Sequence, residues 1–437
     1  MLAVAFLGWL GAGVHMAITQ QTGRAASIDL LGRTGEIDGP RFVALTQQEE
    51  RAKQGLSEKL SESDAEQVKE WEVRVGRWFA WNQCAFLFGA AAGGLLFGLL
   101  GDCIGRAKGM AVSILTYSAF SATVYFAQAP WQFAGLWFLA CLGVGGMWPN
   151  GVALVAEAWS NLSRPVTAGV IGTSANIGIF LFATLARVEP ITPDRWRWAM
   201  LVGAAPLALG VFALVVVPES PRWLATRGTR PETPTDPVST ADVFRPPLVW
   251  VTIVGIILAT TPVIGGWGTA NWMTPWAEKV GSATLRADVL QTRALTGIIG
   301  SLLGGWIAST LGRRTTYFLV SLTSLLIAQY VFWWLVPTDR WFLFWVAVLG
   351  FVSGVYFGWL PLCLPELFPT RVRSTGAGVS FNFGRIATAV TLFASGALMG
   401  YFGGDYALIG RLTSLFFLFG MIAILFAPDT SKKQLAD

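Results

Sequence analysis

Two glutamate–arginine pairs stand out in a chain that contains few charged residues. Glu157 is followed by Arg164, and Glu366 by Arg373, with six residues between the members of each pair. Carboxylates and guanidinium groups form charge-assisted hydrogen bonds, and a set of them can bias an equilibrium between two conformations. Such pairs are suited to biasing a conformational equilibrium.

The two pairs belong to a longer repeat. Glu366 follows Glu157 after 209 residues, and Arg313 in GWIASTLGRR follows Arg106 in GLLGDCIGRAKG after 207. PESPRWL is echoed by PDTSKKQL 210 residues later. Three anchors at nearly one offset predict a duplicated unit. Gly105 in the first anchor favours a tight turn between two helices.

The elements that must position these charges are long and apolar. Of the 437 residues, 54% are apolar and 13% charged, which leaves too little polar surface for a soluble chain. The apolar residues cluster in blocks of about 20, the length of a membrane-spanning helix, and they do not alternate as barrel strands would. The twelve blocks are roughly 1–19, 78–100, 108–128, 131–155, 166–187, 196–217, 248–272, 290–310, 315–336, 341–362, 376–400 and 406–427.

The sequence thus predicts an all-α integral membrane protein with twelve transmembrane helices in two six-helix pseudo-repeats. The first half is 1–224, a proline-rich cytoplasmic linker is 225–247, and the second half is 248–437. Parallel repeats of this kind are typical of rocking transporters with a site between the halves. The first block lacks a basic leader and a cleavage site, which indicates a spanning helix rather than a signal peptide.

Basic residues predict the orientation. With the N-terminus inside, and with the segment 20–77 left out because long loops translocate with little regard to charge, thirteen Arg and Lys residues fall on inner connections and eight on outer ones. Both termini are therefore expected in the cytoplasm, with the protein in the inner (plasma) membrane. The eight outer residues are Arg187, Arg195, Arg197, Lys279, Arg286, Arg293, Arg340 and Arg411.

A long external loop, 20–77, is expected between the first two helices. Its part 45–75 contains good helix formers of mixed charge, which favours a solvated helix or hairpin. The alternative is a lid over the outer vestibule.

Several function classes are disfavoured. The chain has one histidine and four cysteines without metal-ligand spacing, so no metal and no cofactor are expected. GLLGDCIG follows no strand and precedes no Walker lysine, and no catalytic triad can be assembled, so we expect no enzyme. The net charge of +5 is mostly a topology signal and gives no reason to expect nucleic acid as a partner.

The motifs GLLGDCIGRAKG, EAWSNLSR, PESPRWL, PELFPTRVRSTG and PDTSKKQL resemble the signatures of the major facilitator superfamily, in its sugar-porter and metabolite:proton symporter branches. The resemblance implies twelve helices, a central cavity and alternating access. It also implies an inner charge network that latches the halves, at Asp102, Arg106, Glu157, Arg164, Glu219, Arg222, Arg313, Arg314, Glu366 and Arg373. Alternatively, the arginines serve only to fix the topology.

Polar residues that interrupt the helices are candidates for substrate contact, because polar groups are expensive in lipid. Arg385 is a candidate carboxylate partner or a member of the inner gate. For the amides, hydrogen bonding between helices is an equal alternative. For Trp and Tyr, the alternative is a position at the lipid interface or a role in packing. The substrate-binding candidates are His15, Gln83, Asn150, Asn176, Trp267, Asn271, Tyr356, Trp359 and Asn382.

Comparison with the sugar-porter branch bears on the substrate. Gly265 and Gly266 stand where that branch carries two glutamines, and Pro361 where it carries a sugar-stacking tryptophan. A hexose bound in the usual way is therefore not expected, and a sugar and an organic acid both remain open. His15 stands where proton-coupled members carry an aspartate, so it is a proton carrier, a neutral hydrogen-bonding residue of the pocket, or a residue that serves only in packing.

The function expected from the sequence is secondary active transport of a small polar metabolite by alternating access, with proton coupling as one option. The alternatives are a facilitative uniporter and a membrane sensor derived from a transporter. The expected partners are the substrate, the lipid bilayer and, in the coupled case, protons, and the expected state is a monomer. The short linker and C-terminal tail disfavour a sensor.

Overall fold

The computed structural model of the chain describes residues 1–53, 57–158, 164–220, 223–224, 243–368, 373–401 and 405–428, and within these ranges the regular elements are all helical. The helices of the first half, the N-half, are α1 Leu2–Arg33, α2 Gly39–Lys53, α3 Glu62–Ile104, α4 Arg106–Val124, α5 Pro130–Ala158, α6 Arg164–Val188, α7 Trp198–Ala204 and α8 Leu207–Val216.

The second half, the C-half, has the same order of spans. It contains α9 Leu248–Thr261, a π-helical turn Pro262–Gly268, α10 Thr269–Val280, α11 Ala283–Thr310, α12 Arg313–Trp334, α13 Phe342–Cys363, a 3₁₀ turn Pro365–Leu367, α14 Arg373–Tyr401, α15 Tyr406–Ser414 and α16 Phe416–Phe426. Pro206 separates α7 from α8, and Pro262 opens the π-helical turn, because proline cannot continue the helical hydrogen-bond ladder.

The helices form the twelve spans of the predicted fold. By length and composition, nine spans within the described residues are long and apolar enough to cross a membrane. The other three are α4, α11 and α14, which are 19, 28 and 29 residues long. The first three turns of α11 carry Arg286, Asp288 and Arg293, so this span is more polar than its neighbours. A polar span is tolerated where it faces protein or a cavity instead of lipid.

Glycines show the duplication in three dimensions. Gly93 on α3 faces α5 so closely that a Cβ there would lie 1.9 Å from the carbonyl oxygen of Leu142. Gly300 on α11, 207 positions later, faces α13 in the same way: a Cβ there would lie 2.0 Å from the carbonyl oxygen of Phe351. Close backbone approach through small residues is the usual means of helix association in membranes. The two halves therefore share one packing device at the offset of the sequence repeat.

The turns of the repeat are also equivalent. Gly105 between α3 and α4 has φ +112°, and Gly312 between α11 and α12 has φ +90°, values that side-chain-bearing residues rarely adopt. The tight turn predicted at Gly105 is thus present in both halves. We refer to the end of the bundle with these turns as the linker side, and to the opposite end, which carries α2, as the insertion side.

The segment 20–77 is mostly helical, as predicted for its part 45–75. The helices α1 and α3 also extend beyond the predicted apolar blocks 1–19 and 78–100. α1 continues to Arg33 and α3 begins at Glu62, where the hydroxyl of Ser61 accepts a hydrogen bond from the backbone of Asp64. The extended ends of α1 and α3 pack with α2 around a small apolar core of their own. That core makes the extra helical turns stable. We call this part the helical insertion.

The helical insertion is tied to the N-half by a carboxylate. Asp29 accepts hydrogen bonds from Arg197 at 2.6 Å, from the indole of Trp196 at 3.0 Å and from Arg33 at 2.8 Å. Within the insertion, Arg24 forms a two-pronged ion pair with Glu72 at 2.6 and 2.9 Å. Bidentate pairs of this kind fix orientation as well as distance.

The two halves meet along two seams. On the α6–α11 seam, Gln291 donates to the hydroxyl of Thr184 at 2.8 Å, and Arg187 pairs with Asp288 at 3.1 Å. On the α3–α14 seam, Arg385 donates to the carbonyl oxygen of Ala90 at 3.1 Å. Between these seams lies a cavity.

Candidate functional site

The cavity is enclosed by both halves and has a volume of about 100 Å³. The N-half contributes residues of α1, α3, α5 and α6, and the C-half contributes the π-helical turn, α11, α13 and α14. This volume is well above what a single water molecule needs. Its wall is mainly apolar, as in most small-molecule sites.

An aromatic wall crosses the cavity from one half to the other. Trp148 of α5 lies 4.8 Å from Trp9 of α1 and 6.5 Å from Phe381 of α14, measured between ring centres, and all three line the cavity. The Trp148 and Phe381 rings are nearly parallel, at 25°. Such faces are suited to a flat, partly apolar ligand.

Arg385 places a positive charge on this wall. The side chain is 7% exposed, and its guanidinium lies 4.8 Å from the centre of the Phe381 ring. Its one hydrogen bond within the described residues goes to the carbonyl oxygen of Ala90. Among the described residues it forms no ion pair with a carboxylate. A guanidinium has five N–H donors, so most of its donor capacity is left for a ligand.

A second positive charge comes from Arg293 near the start of α11. Its Nη2 donates to the carbonyl oxygen of Gly266, in the π-helical turn, at 3.1 Å. It too pairs with no carboxylate within the described part of the chain. Two guanidinium groups in one apolar cavity make a strong site for an anion, because the low dielectric increases their attraction for negative charge.

Of the predicted substrate-binding residues, the structure brings Asn176 to the cavity wall. Arg385, which was predicted as a carboxylate partner or a member of the gate, also lines the cavity. His15 lies elsewhere, fully buried in the N-half, with Nδ1 2.9 Å from the carbonyl oxygen of Gly11. Its ring lies between those of Tyr117 and Trp137, with distances between ring centres of 4.8 and 5.6 Å.

The remaining predicted amides of the N-half join helices. Gln83 donates to the carbonyl oxygen of Thr19 at 3.1 Å, and Asn150 to those of Phe97 at 2.8 Å and Gly146 at 2.9 Å. These bonds correspond to the alternative role of helix–helix hydrogen bonding.

In the C-half, the predicted aromatic residues pack away from the cavity. The hydroxyl of Tyr356 lies 2.6 Å from that of Ser321, and the indole of Trp359 donates to the carbonyl oxygen of Arg313 at 2.9 Å. Asn382 is buried against Gly94 of α3. The side chains of Trp267 and Asn271 lie outside the described part of the structure.

On the linker side, contacts within one half are seen for Glu219, Arg313, Glu366 and Arg314. Glu219 accepts a hydrogen bond from the backbone N–H of Ala107 at 3.0 Å and thereby caps the N-terminus of α4. Arg313 pairs with Glu366 at 3.2 Å, and Arg314 donates to the carbonyl oxygen of Ala427 at 2.8 Å.

The rest of the predicted linker-side network is only partly described. Arg106 is half-buried at the start of α4. The side chains of Asp102, Glu157, Arg164 and Arg373, and the whole of Arg222, lie outside the described residues. The latch between the halves therefore stays a prediction.

Sequence reasoning missed several cavity residues. Arg293 was assigned to the outer connections, although it lies inside the apolar block 290–310, and an arginine within such a block is itself a signal of a site. Trp9, Met16 and Gln20 share one face of α1 by their spacing of seven and four, but nothing in the sequence says which face meets the cavity.

Comparisons with known proteins agree with this architecture. A family model described as Major Facilitator Superfamily matches residues 78–392. The cis,cis-muconate transport protein of Acinetobacter baylyi is 27% identical over 78% of this chain and 83% of that protein. The gentisate transporter of Corynebacterium glutamicum is 25% identical over 82% of this chain and 80% of that protein. A solved D-xylose–proton symporter superposes with a TM-score of 0.67 at 17% identity, covering 100% of this chain and 99% of that one.

Proposed function

The chain belongs to the major facilitator superfamily, and on that premise we propose that it transports a small organic acid whose carboxylate binds to Arg293 and Arg385. It is a multi-pass membrane protein, and the relatives it resembles are transporters, not enzymes. The observation that carries the proposal is the pair of cavity-lining guanidinium groups without carboxylate partners among the described residues.

The chemistry of the wall supports an acid with a flat body. A carboxylate binds a guanidinium through two parallel hydrogen bonds, and Trp9, Trp148 and Phe381 offer faces for an unsaturated or aromatic framework. Two of the relatives are named for muconate and gentisate, which are both organic carboxylates of this kind.

A sugar fits the described wall less well. A Cβ at Gly265 would lie 2.7 Å from the ring of Phe417, so a glutamine there has no room. The carbonyl oxygen of Gly266 is occupied by Arg293. The likeness to the xylose symporter is a likeness of fold at 17% identity, which says nothing about the ligand.

Transport follows from the position of the cavity between the halves. We propose that rocking of the N-half against the C-half opens the cavity to the two sides of the membrane in turn, with the linker-side charges as one gate. The proposal places both termini in the cytoplasm, the protein in the plasma membrane, and a monomer as the working unit. It assigns His15 to packing in the N-half, because the ring has no contact with the cavity.

The proposal is tested by uptake into proteoliposomes. Labelled muconate, gentisate, benzoate and xylose are compared, and we expect saturable uptake of acids and none of xylose. Arg385→Gln and Arg293→Gln are each expected to weaken acid binding by about 10- to 100-fold, the value of a charge-assisted hydrogen bond. Arg340→Gln, at an exposed arginine outside the cavity, is the matched control. Uptake of xylose without acids, or full acid binding by both cavity variants, contradicts the proposal.

A further inference from the structure

Gln20 brings an amide to the cavity from the half that carries no cavity arginine. It lies on α1, on the helix face that also presents Trp9 and Met16 to the cavity, and its side chain is 7% exposed. The two guanidinium groups of the site are on α11 and α14, in the C-half. Among the described residues, the charged groups of the cavity therefore lie on the C-half, and the N-half contributes the amides of Gln20 and Asn176.

The amide oxygen of Gln20 lacks a hydrogen-bond donor. Among the described residues that line the cavity, it is the one side-chain oxygen that is fully buried and accepts no hydrogen bond. A buried acceptor without a donor is costly, and the cost is removed when a donor arrives. The three side-chain torsions of glutamine allow the amide to turn toward a ligand in the cavity.

We propose that Gln20 determines specificity, by accepting a hydrogen bond from a hydroxyl group on the ring of the transported acid. This inference rests on the proposed function, because the arginines hold the carboxylate end. The ligand then has its carboxylate on the C-half and its hydroxyl on the N-half. A site built around such a hydrogen bond rejects the analogue that lacks the donor, because the acceptor is left unpaired. The substrate class is therefore a hydroxylated ring acid.

The neighbouring residue provides a matched control. Gln21 has the same side chain on the same helix, is 1% exposed, and leaves both amide atoms without hydrogen bonds, but it does not line the cavity. A change at Gln21 removes the same chemistry from the same helix without touching the ligand.

The test is equilibrium binding of benzoate, 3-hydroxybenzoate and 4-hydroxybenzoate to the purified full-length protein. We expect the wild type to bind at least one hydroxybenzoate about 5- to 100-fold more tightly than benzoate, the range of one hydrogen bond to a buried group. Gln20→Leu is expected to abolish this preference while benzoate binding is retained, and Gln21→Leu to keep the preference. Gln20→Met, an unbranched chain of similar volume, is measured beside Gln20→Leu, and thermal unfolding reports that each variant is folded.

The outcomes separate this inference from the proposed function. If the wild type binds all three acids equally, or if folded Gln20→Leu and Gln20→Met keep the hydroxyl preference, Gln20 does not determine specificity, although the acid site stands. If the folded wild type binds none of the three probes and Arg385→Gln leaves uptake of every labelled acid unchanged, the proposed function itself fails.

Discussion

Arg385 combines two contacts that belong to different halves of the molecule. Its hydrogen bond to Ala90 crosses the α3–α14 seam, and its guanidinium lies against the cavity wall at Phe381. In the proposed site, a carboxylate would bind the remaining N–H groups of the guanidinium that also contacts Ala90. Binding at this residue would then be linked to the contact between the halves, as alternating access requires.

His15 gives a prediction at the same scale. His15→Gln is expected to leave the response of uptake to an imposed pH gradient unchanged, because the ring is enclosed by Tyr117 and Trp137 and does not line the cavity. Loss of the ring contacts and of the bond to Gly11 is expected to cost about 1–2 kcal/mol of stability. Proteoliposomes with a pH-sensitive dye inside measure the first effect and thermal unfolding the second.

The opposite result would identify His15 as a proton carrier: the wild type shows substrate-driven proton entry, and His15→Gln loses it while exchange of substrate across the membrane is retained.

The helix pairs α3–α5 and α11–α13 are the closest contacts at the scale of elements. Gly93 and Gly300 allow backbone-to-backbone approach at equivalent positions, and Gly145 of α5 and Gly354 of α13 do so from the other side. The distance between the two helices of such a pair cannot easily increase or decrease, because the neighbouring atoms are backbone carbonyl oxygens and not flexible side chains. Each pair therefore moves as one block.

Gly93→Ala tests this seam. A methyl group 1.9 Å from the Leu142 carbonyl forces α3 and α5 apart, and the variant is expected to lose about 1–3 kcal/mol of stability, typical of overpacking. Gly98→Ala, on the same helix, is the control, because a Cβ at Gly98 meets no atom within 4 Å. The control is expected to be neutral or up to about 1 kcal/mol more stable through helix propensity. Equal unfolding temperatures of the two variants in detergent would show that the contact between α3 and α5 accommodates the added methyl group, which contradicts the prediction.

Some elements of the fold could be predicted from the sequence and others could not. The repeat at Gly105 and Gly312 is confirmed, because a turn that requires positive φ leaves a glycine at a fixed place. The end of α1 was predicted wrongly at residue 19, since residues 20–24 are polar while the helix continues on contacts made by α2 and α3. The presence of a helix can be predicted from the local pattern of apolar residues. The position at which the helix ends depends on packing partners that are distant in sequence.

The site was less predictable for a related reason. Gln83 and Asn150 have the polarity expected of cavity residues, yet both bind backbone carbonyls of neighbouring helices. Arg293 was assigned to topology and lines the cavity. In an all-round apolar helix the sequence does not reveal which face meets protein and which meets the cavity, so residue type alone cannot place a side chain.

At the scale of the whole molecule, the α6–α11 seam joins the two halves on the insertion side. Arg187 and Asp288 are 53% and 23% exposed, so their attraction is worth about 0–1 kcal/mol. That is enough to change the ratio of two conformations by up to about fivefold.

Reversal of this ion pair is the test. Arg187→Asp places two negative charges together and is expected to increase the fraction of molecules open on the insertion side, whereas Arg187→Asp with Asp288→Arg restores the wild-type fraction. Spin labels at Arg195→Cys and Ser282→Cys, in a background without the native cysteines, report the distance between the halves. A distance distribution that is the same in all three proteins would show that the pair does not contribute to closure.

The helical insertion has a practical consequence for imaging. A protein of 47.1 kDa surrounded by detergent presents few features by which individual particles can be aligned in electron microscopy. The extended ends of α1 and α3 pack with α2 around their own apolar core, and the hydrogen bonds that Asp29 accepts from Trp196 and Arg197 fix α1 to the rest of the N-half. α1 has 32 residues, about 48 Å at the helical rise, against a hydrocarbon core of about 30 Å. An antibody fragment raised against this projection would act as a rigid fiducial mark for the N-half, and the C-half could then be followed as it rocks.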